Sequence, residues 1–202
     1  MTETVESTSP GLRERKKQAT RRAIRRAAVA LALEHGTERL TVEAISEAAD
    51  VSPRTFFNYF SCKEDALVGD SAEGQEDLRQ LIMSRPSDEP PMQTVRAVLV
   101  ESSLLGNAHT QREEVLARQR LVRENPSLLP RQLSKYAAIE RTLAEAMAER
   151  LDTDPAQDLR PAMLAALGVT VVRVAVQSWT TDGTRPLTTL IDDAFHLLER
   201  GI

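Results

Sequence analysis

Within Val51–Phe60, VSPRTFFNYF, a guanidinium, an amide, hydroxyls and four aromatic rings crowd together. Arg54 and Asn58 stand four residues apart, as do Thr55 and Tyr59, and Phe56 and Phe60. On a helix turning about 100° per residue, each such pair shares one side. Phe56 and Phe60 then form an apolar arc with Phe57 at its border, Arg54 and Asn58 lie opposite, and Thr55 and Tyr59 take one flank. The polar side suits a DNA groove, where Arg bonds guanine, Asn bonds adenine, and Thr or Phe meets a thymine methyl. Thr41, Tyr59, Lys63 and the backbone N–H groups at Ser52 suit phosphates. A packing helix with a polar outside fits the same residue types. Four of the chain's seven aromatics fall at 56, 57, 59 and 60; the rest are Tyr136, Trp179 and Phe195.

A helix of about two turns cannot persist by propensity. Phe56 and Phe60 are therefore expected to anchor it against Leu31, Ile45 and Ala49. Ser52 caps its start, with Pro53 at the favoured first position. Thr41 caps a helix over 42–49 with Ala44, Ile45 and Ala48 inward, and Asp50 tolerates the left-handed turn that follows. Upstream, Ile24, Ala27, Ala28 and Leu31 recur at helical steps and predict a helix over 13–34, stopped by Gly36. Another helix starts near Lys63 and continues toward Met83. After a loop over 85–91, helices are expected at 92–106, 111–124, 127–151, 156–181 and 187–200. Their breaks are Gly106-Asn107, Asn125-Pro126, 152–155 and 182–186. No alternating strand pattern and no repeat of 20–50 residues occurs. The fold class is all-α.

The net charge is −4, but residues 11–63 hold eleven Lys or Arg against six acids, a local +5 that leaves −9 elsewhere. A basic quarter on an acidic body is the footprint of a nucleic-acid module, and also fits a solvated helix face. The polar start, MTETVESTSP, has no secretory h-region, and the apolar run 162–172 is too short to span a bilayer. With Cys62 the sole cysteine, no internal disulfide is possible. A cytoplasmic protein without membrane contact is expected.

TVEAISEAADVSPRTFFNYFSCKEDAL, Thr41–Leu67, resembles the helix-turn-helix of TetR-family transcriptional repressors, and TRRAIRRAAVALALEHGTERL resembles that family's first helix with its glycine stop. The resemblance is close over about 17–67 and holds in outline beyond. It implies a disordered arm at 1–12, a three-helix DNA-binding domain at 13–67, and a larger helical domain at 68–202 for ligand binding and dimerisation. It also implies that Pro53, Arg54, Thr55 and Phe57 face bases, while Thr41, Ser52, Tyr59 and Lys63 face phosphates. Asn58 joins the base-facing set from its place on the wheel. Asp50 stands where the family favours glycine and Ala32 where a core Phe is common. Glu43 holds a site where some members carry an Arg, so it receives no base-reading role.

The family resemblance further implies a homodimer on a palindromic operator of double-stranded DNA, released by a small-molecule effector. The dimer face would use the last two long helices, including Val171, Val174, Leu190, Ala194 and Leu197; a single buried core also explains such apolar faces. Arg173, inside GVTVVRVAVQSW, either pairs with Glu101 or another acid, or meets an anionic ligand. Residues 124–150 resemble the subgroup associated with acyl-CoA-like ligands. An enzyme would need to draw on His35, His109, His196 or Cys62, of which only Cys62 has a neighbouring cation, Lys63, to favour a thiolate. No metal or cofactor motif appears. A non-specific architectural DNA protein would spread basic charge over the whole body, which residues 68–202 do not.

Overall fold

The computed structural model describes residues 12–68, 75–102, 112–182 and 184–201. Residues 1–11 of the expected arm, the expected Gly106-Asn107 break and His109 lie outside them. The described residues hold ten α-helices and no strand. The chain divides into two compact units, one through Leu67 and one from Val68.

The first unit contains α1 (Leu12–His35), α2 (Val42–Ala48), α3 (Pro53–Phe57) and nearly all of α4 (Lys63–Val68). Each break has a local cause. Gly36 takes φ +82 and gives its N–H to the Ala32 carbonyl at 3.0 Å, closing α1. Asp50 sits at φ 54, the left-handed turn expected of it. Thr41 Oγ1 accepts the Ala44 N–H at 3.1 Å, and Ser52 Oγ accepts the Thr55 N–H at 3.0 Å. Ile24, Ala28, Ala32, Ile45, Phe56, Phe60 and Leu67 are buried. One expected inward position differs: Ala48 is exposed, and Ser46 is buried instead. Packed on both α1 and α3, α2 buries the adjacent pair Ile45 and Ser46 rather than one four-residue stripe.

The second unit contains α5 (Gln75–Ser84), α6 (Pro91–Glu101), α7 (Arg112–Glu124), α8 (Leu129–Leu151), α9 (Arg160–Asp182) and α10 (Leu187–Arg200). A 3-10 turn over Pro126–Leu128 precedes α8. At its centre, α9 packs on α6, α7, α8 and α10. Its core includes Leu78, Val95, Leu143, Met147, Ala165 and Phe195. The start of α9, expected at 156, falls at Arg160. Asp154 and Asp158 draw the preceding backbone into turns by accepting the N–H groups of Ala156 and Arg160, both at 2.9 Å. The Arg160 guanidinium holds the Asp158 carboxyl below its usual range. By length and composition Arg160–Thr181 could cross a membrane, more than the run 162–172 suggested. In this unit it is the helix around which four others pack.

Close approach of α9 to α6 depends on Gly168. A Cβ there would fall 2.5 Å from Val95 Cγ1 and 3.0 Å from Leu99 Cδ1. The loop between α5 and α6 is tied down by ions. Arg150 donates to the carbonyls of Ile82 at 3.2 Å, Arg85 at 3.0 Å and Pro86. Arg85 pairs with Glu89 and, at 3.1 Å, with Glu101. The Arg85 guanidinium, with the Thr94 hydroxyl, lowers the Glu89 carboxyl from 4.5 to about 2.

Gly168→Val should therefore cost about 1–3 kcal/mol of stability by overpacking the crossing. An unchanged urea midpoint would show that the two helices have room to part. Because Glu89 is more acidic when folded, its contribution is complete above pH 4.5 and is lost as pH falls toward 2. Glu89→Gln should flatten that part of the acid-unfolding curve, and an acid limb as steep as wild type would remove Glu89 from it.

Candidate nucleic-acid interface and interior cavity

Helix α3 separates its anchors from its outward groups. Phe56 and Phe60 are buried with ring centroids 5.7 Å apart, and Phe57 meets Phe56 edge-on at 5.5 Å while staying 57% exposed. Pro53, Arg54 and Asn58 are exposed, and Thr55 is half-buried. The five expected base-facing residues thus lie on one short element and its C-cap, with three polar groups and one aromatic ring among them. Thr41 and Ser52 are exposed and Tyr59 is half-buried. The Ser52 and Thr55 hydroxyls are bonded to each other at 2.9 Å, which fixes the flank from which both face outward.

Lys63 carries a structural duty that its sequence position did not reveal. Its Nζ donates to the carbonyls of Leu40 at 2.7 Å and Thr37 at 3.2 Å, tying α4 to the link between α1 and α2. An ammonium has three protons, so one remains for a phosphate. The sequence also gave no notice of Arg21. This residue is only 6% exposed; its guanidinium donates to the Tyr59 carbonyl at 3.0 Å and lies over the Tyr59 and Phe60 rings at 5.9 and 5.2 Å. It clasps the end of α3 to α1. Its place on the α1 stripe, three residues before Ile24, was the available signal.

Of the groups considered for catalysis, Cys62, His35 and His196 fall among the described residues. Burial pushes the Cys62 thiol up, against the thiolate that a neighbouring Lys63 suggested. His35 sits beside Glu34 at 3.6 Å, and His196 Nδ1 lies 2.7 Å from the Asp192 carbonyl. Among the described residues no cluster could hold a metal ion.

In the second unit a cavity of about 100 Å³ opens between α6, α7, α8 and α9. Leu99, Val115, Ile139 and Val169 line it together with Gln132, Tyr136 and Arg173. The expected Arg173–Glu101 pair is absent, because Glu101 bonds Arg85 and Arg173 is exposed toward the cavity. Of the expected dimer residues, Val174 and Leu197 are 47% and 58% exposed, as is Met163 at 55%. Leu190 and Ala194 are half-buried, and Val171 packs into the unit's own core.

Residues 24–68 match a family model for bacterial regulatory proteins of the tetR family, and residues 89–202 match one for the MftR C-terminal domain. The HTH-type transcriptional regulator TcmR of Streptomyces glaucescens is 34% identical over 176 residues, 84% of this chain and 77% of that protein. The putative mycofactocin biosynthesis transcriptional regulator MftR of Mycobacterium tuberculosis is 25% identical over 188 residues, 93% of each. The fold is shared with the fatty acid degradation regulator FadR of Bacillus halodurans, at TM-score 0.59 and 20% identity over 90% of this chain and 98% of that one. Thermus thermophilus FadR, a TetR-family repressor in complex with lauroyl-CoA, gives TM-score 0.52 at 23% identity over 90% and 94%.

Lys63→Met should lower the stability of the DNA-reading unit by roughly 1–3 kcal/mol, the range for hydrogen bonds to a charged donor. If calorimetry finds its melting unchanged, the two carbonyl contacts carry no weight.

Proposed function

The chain belongs to the TetR family of bacterial transcriptional regulators, and from that premise we propose a homodimeric repressor released from a palindromic operator by a hydrophobic small molecule. The observation that carries the reading is α3, whose buried Phe56 and Phe60 leave Arg54, Phe57 and Asn58 outward. With Pro53 and Thr55, these three face base edges. Thr41, Ser52, Tyr59 and the remaining proton of Lys63 meet phosphates and set the register.

A second copy supplies the second half-site, about one helical turn of DNA or a multiple away. Exposed Met163, Val174 and Leu197 on α9 and α10 support an interface there, with Leu190, Ala194 and the margin of Val171 beside them. The effector enters the cavity of the second unit, where Arg173 is its polar contact. Lauroyl-CoA bound to the Thermus thermophilus relative supports an acyl-CoA-like or other hydrophobic molecule. The protein acts by binding alone, with no catalytic step or cofactor, on DNA in the cytoplasm.

Fluorescence titration against the upstream intergenic DNA and a scrambled control, at two salt concentrations, tests the assignment. Arg54→Ala should lose about 1–3 kcal/mol on the specific site and little on the control. Wild-type affinity for the specific site in this variant would remove Arg54 from base reading. One subunit per site at saturation would remove the dimer.

A further inference from the structure

We infer that the first two turns of α1 carry a second DNA contact, in which Arg13 and Lys17 meet the sugar–phosphate backbone beside the stretch that α3 reads. The inference rests on the reading of the first unit as the DNA-binding head and deepens it.

Helix α1 is longer than its packing requires. Its 24 residues span about 36 Å. Arg21 is the first described side chain along it to be buried, and about 13 Å of helix precede it. In that stretch Arg13, Arg15, Lys16 and Lys17 are exposed, while Gln18 and Thr20 are half-buried. Residues 13–17, RERKK, hold four cations and one acid, a net +3.

These charges oppose the helix that bears them. Cations near a helix N-terminus face the positive pole of its macrodipole. Arg13 also stands three residues from Lys16 and four from Lys17, the spacings at which like charges repel on a helix. Two turns with almost nothing buried and such a pattern make a poor helix alone and a better one against a polyanion.

Their placement favours DNA as that polyanion, and favours two of the four cations. On a helical wheel Lys17 and Arg13 lie about 40° and 80° from the direction of Arg21, whereas Arg15 and Lys16 lie about 120° and 140° from it. Arg21 is seated on the end of α3, donating to the Tyr59 carbonyl at 3.0 Å with its guanidinium over the Tyr59 and Phe60 rings. The stripe that meets the end of α3 therefore continues outward as Lys17 and Arg13, about 6 and 12 Å further along the axis. Tyr59 faces phosphate in the proposed reading, so these two cations extend that contact past it onto flanking DNA. A lipid surface fits less well, because LRERKKQA offers only Leu12 and Ala19 as apolar side chains to bury.

Fluorescence titration of the full chain with the upstream intergenic duplex and a scrambled duplex of equal length, over a range of salt, tests the contact. The double variant Arg13→Gln/Lys17→Gln should flatten the log–log salt dependence by about two units and weaken binding to both duplexes, roughly thirtyfold at about 0.15 M salt. Its preference for the upstream duplex should stay within about twofold of wild type, because backbone contacts carry no sequence information. Arg15→Gln/Lys16→Gln removes the same charge from the other side of α1 and should flatten the slope by less than about half a unit. Neither variant should melt below wild type, since each takes cations away from the positive pole of α1, so a loss of affinity is not a loss of folding. A wild-type slope in Arg13→Gln/Lys17→Gln would overturn the inference. Equal losses in the two pairs would also overturn it, by assigning the charge to the general field of the head. Wild-type protein without preference for the upstream duplex, whose slope still falls by two units in Arg13→Gln/Lys17→Gln, would sink the sequence-specific reading and leave this contact standing. Preserved preference with an unchanged slope would do the reverse.

Discussion

A five-residue helix that must present side chains to a partner has to be held from outside, because one turn cannot repay its own nucleation. In the first unit that constraint governs most of what is buried. Phe56 and Phe60 are both fully buried, each worth about 1.5–3 kcal/mol of burial. Ser52 secures the start of α3 and Arg21 its end, the latter from 38 residues away. Placing a guanidinium at 6% exposure is costly, and the Tyr59 carbonyl with two ring faces offsets part of that cost. Rigidity of the reading helix is thus a property of the whole unit rather than of its own sequence.

The second unit answers a different demand. Helix α9 must touch four neighbours and still leave apolar side chains outward, so it is apolar nearly all round. Gly168 permits the tightest of those approaches by omitting a side chain where Val95 and Leu99 come in. The polar ties sit at the periphery, where Arg85, Glu89 and Arg150 pin the loop between α5 and α6. That arrangement keeps those ionised groups off the hydrophobic core.

Much of the architecture was legible because helix caps and aromatic anchors are short-range signals. Thr41, Ser52, Pro53, Gly36 and Asp50 each act on backbone within four residues, so their roles could be read from neighbours alone. What escaped depends on distance in sequence. The carbonyl contacts of Lys63 reach back 23 and 26 residues, and charge at that position gave no sign of them. The pairing of Glu101 was misplaced because Arg85, in a loop 16 residues away, competes for it more directly than Arg173. Ser46 replaced Ala48 inside because two neighbours, not one, press on α2. The delayed start of α9 turned on two aspartate side chains capturing backbone N–H groups, a competition that helical periodicity does not register.

The separation of anchors from outward groups on α3 has an evolutionary consequence. Positions 54 and 58 are exposed, so under the proposed reading substitutions there change what is read while leaving the packing of Phe56 and Phe60 intact. Surface changes of that kind usually shift stability by about half a kcal/mol or less. Recognition can therefore drift through many variants without passing through unfolded intermediates. A scaffold built this way is able to diversify its targets after gene duplication, one exposed residue at a time.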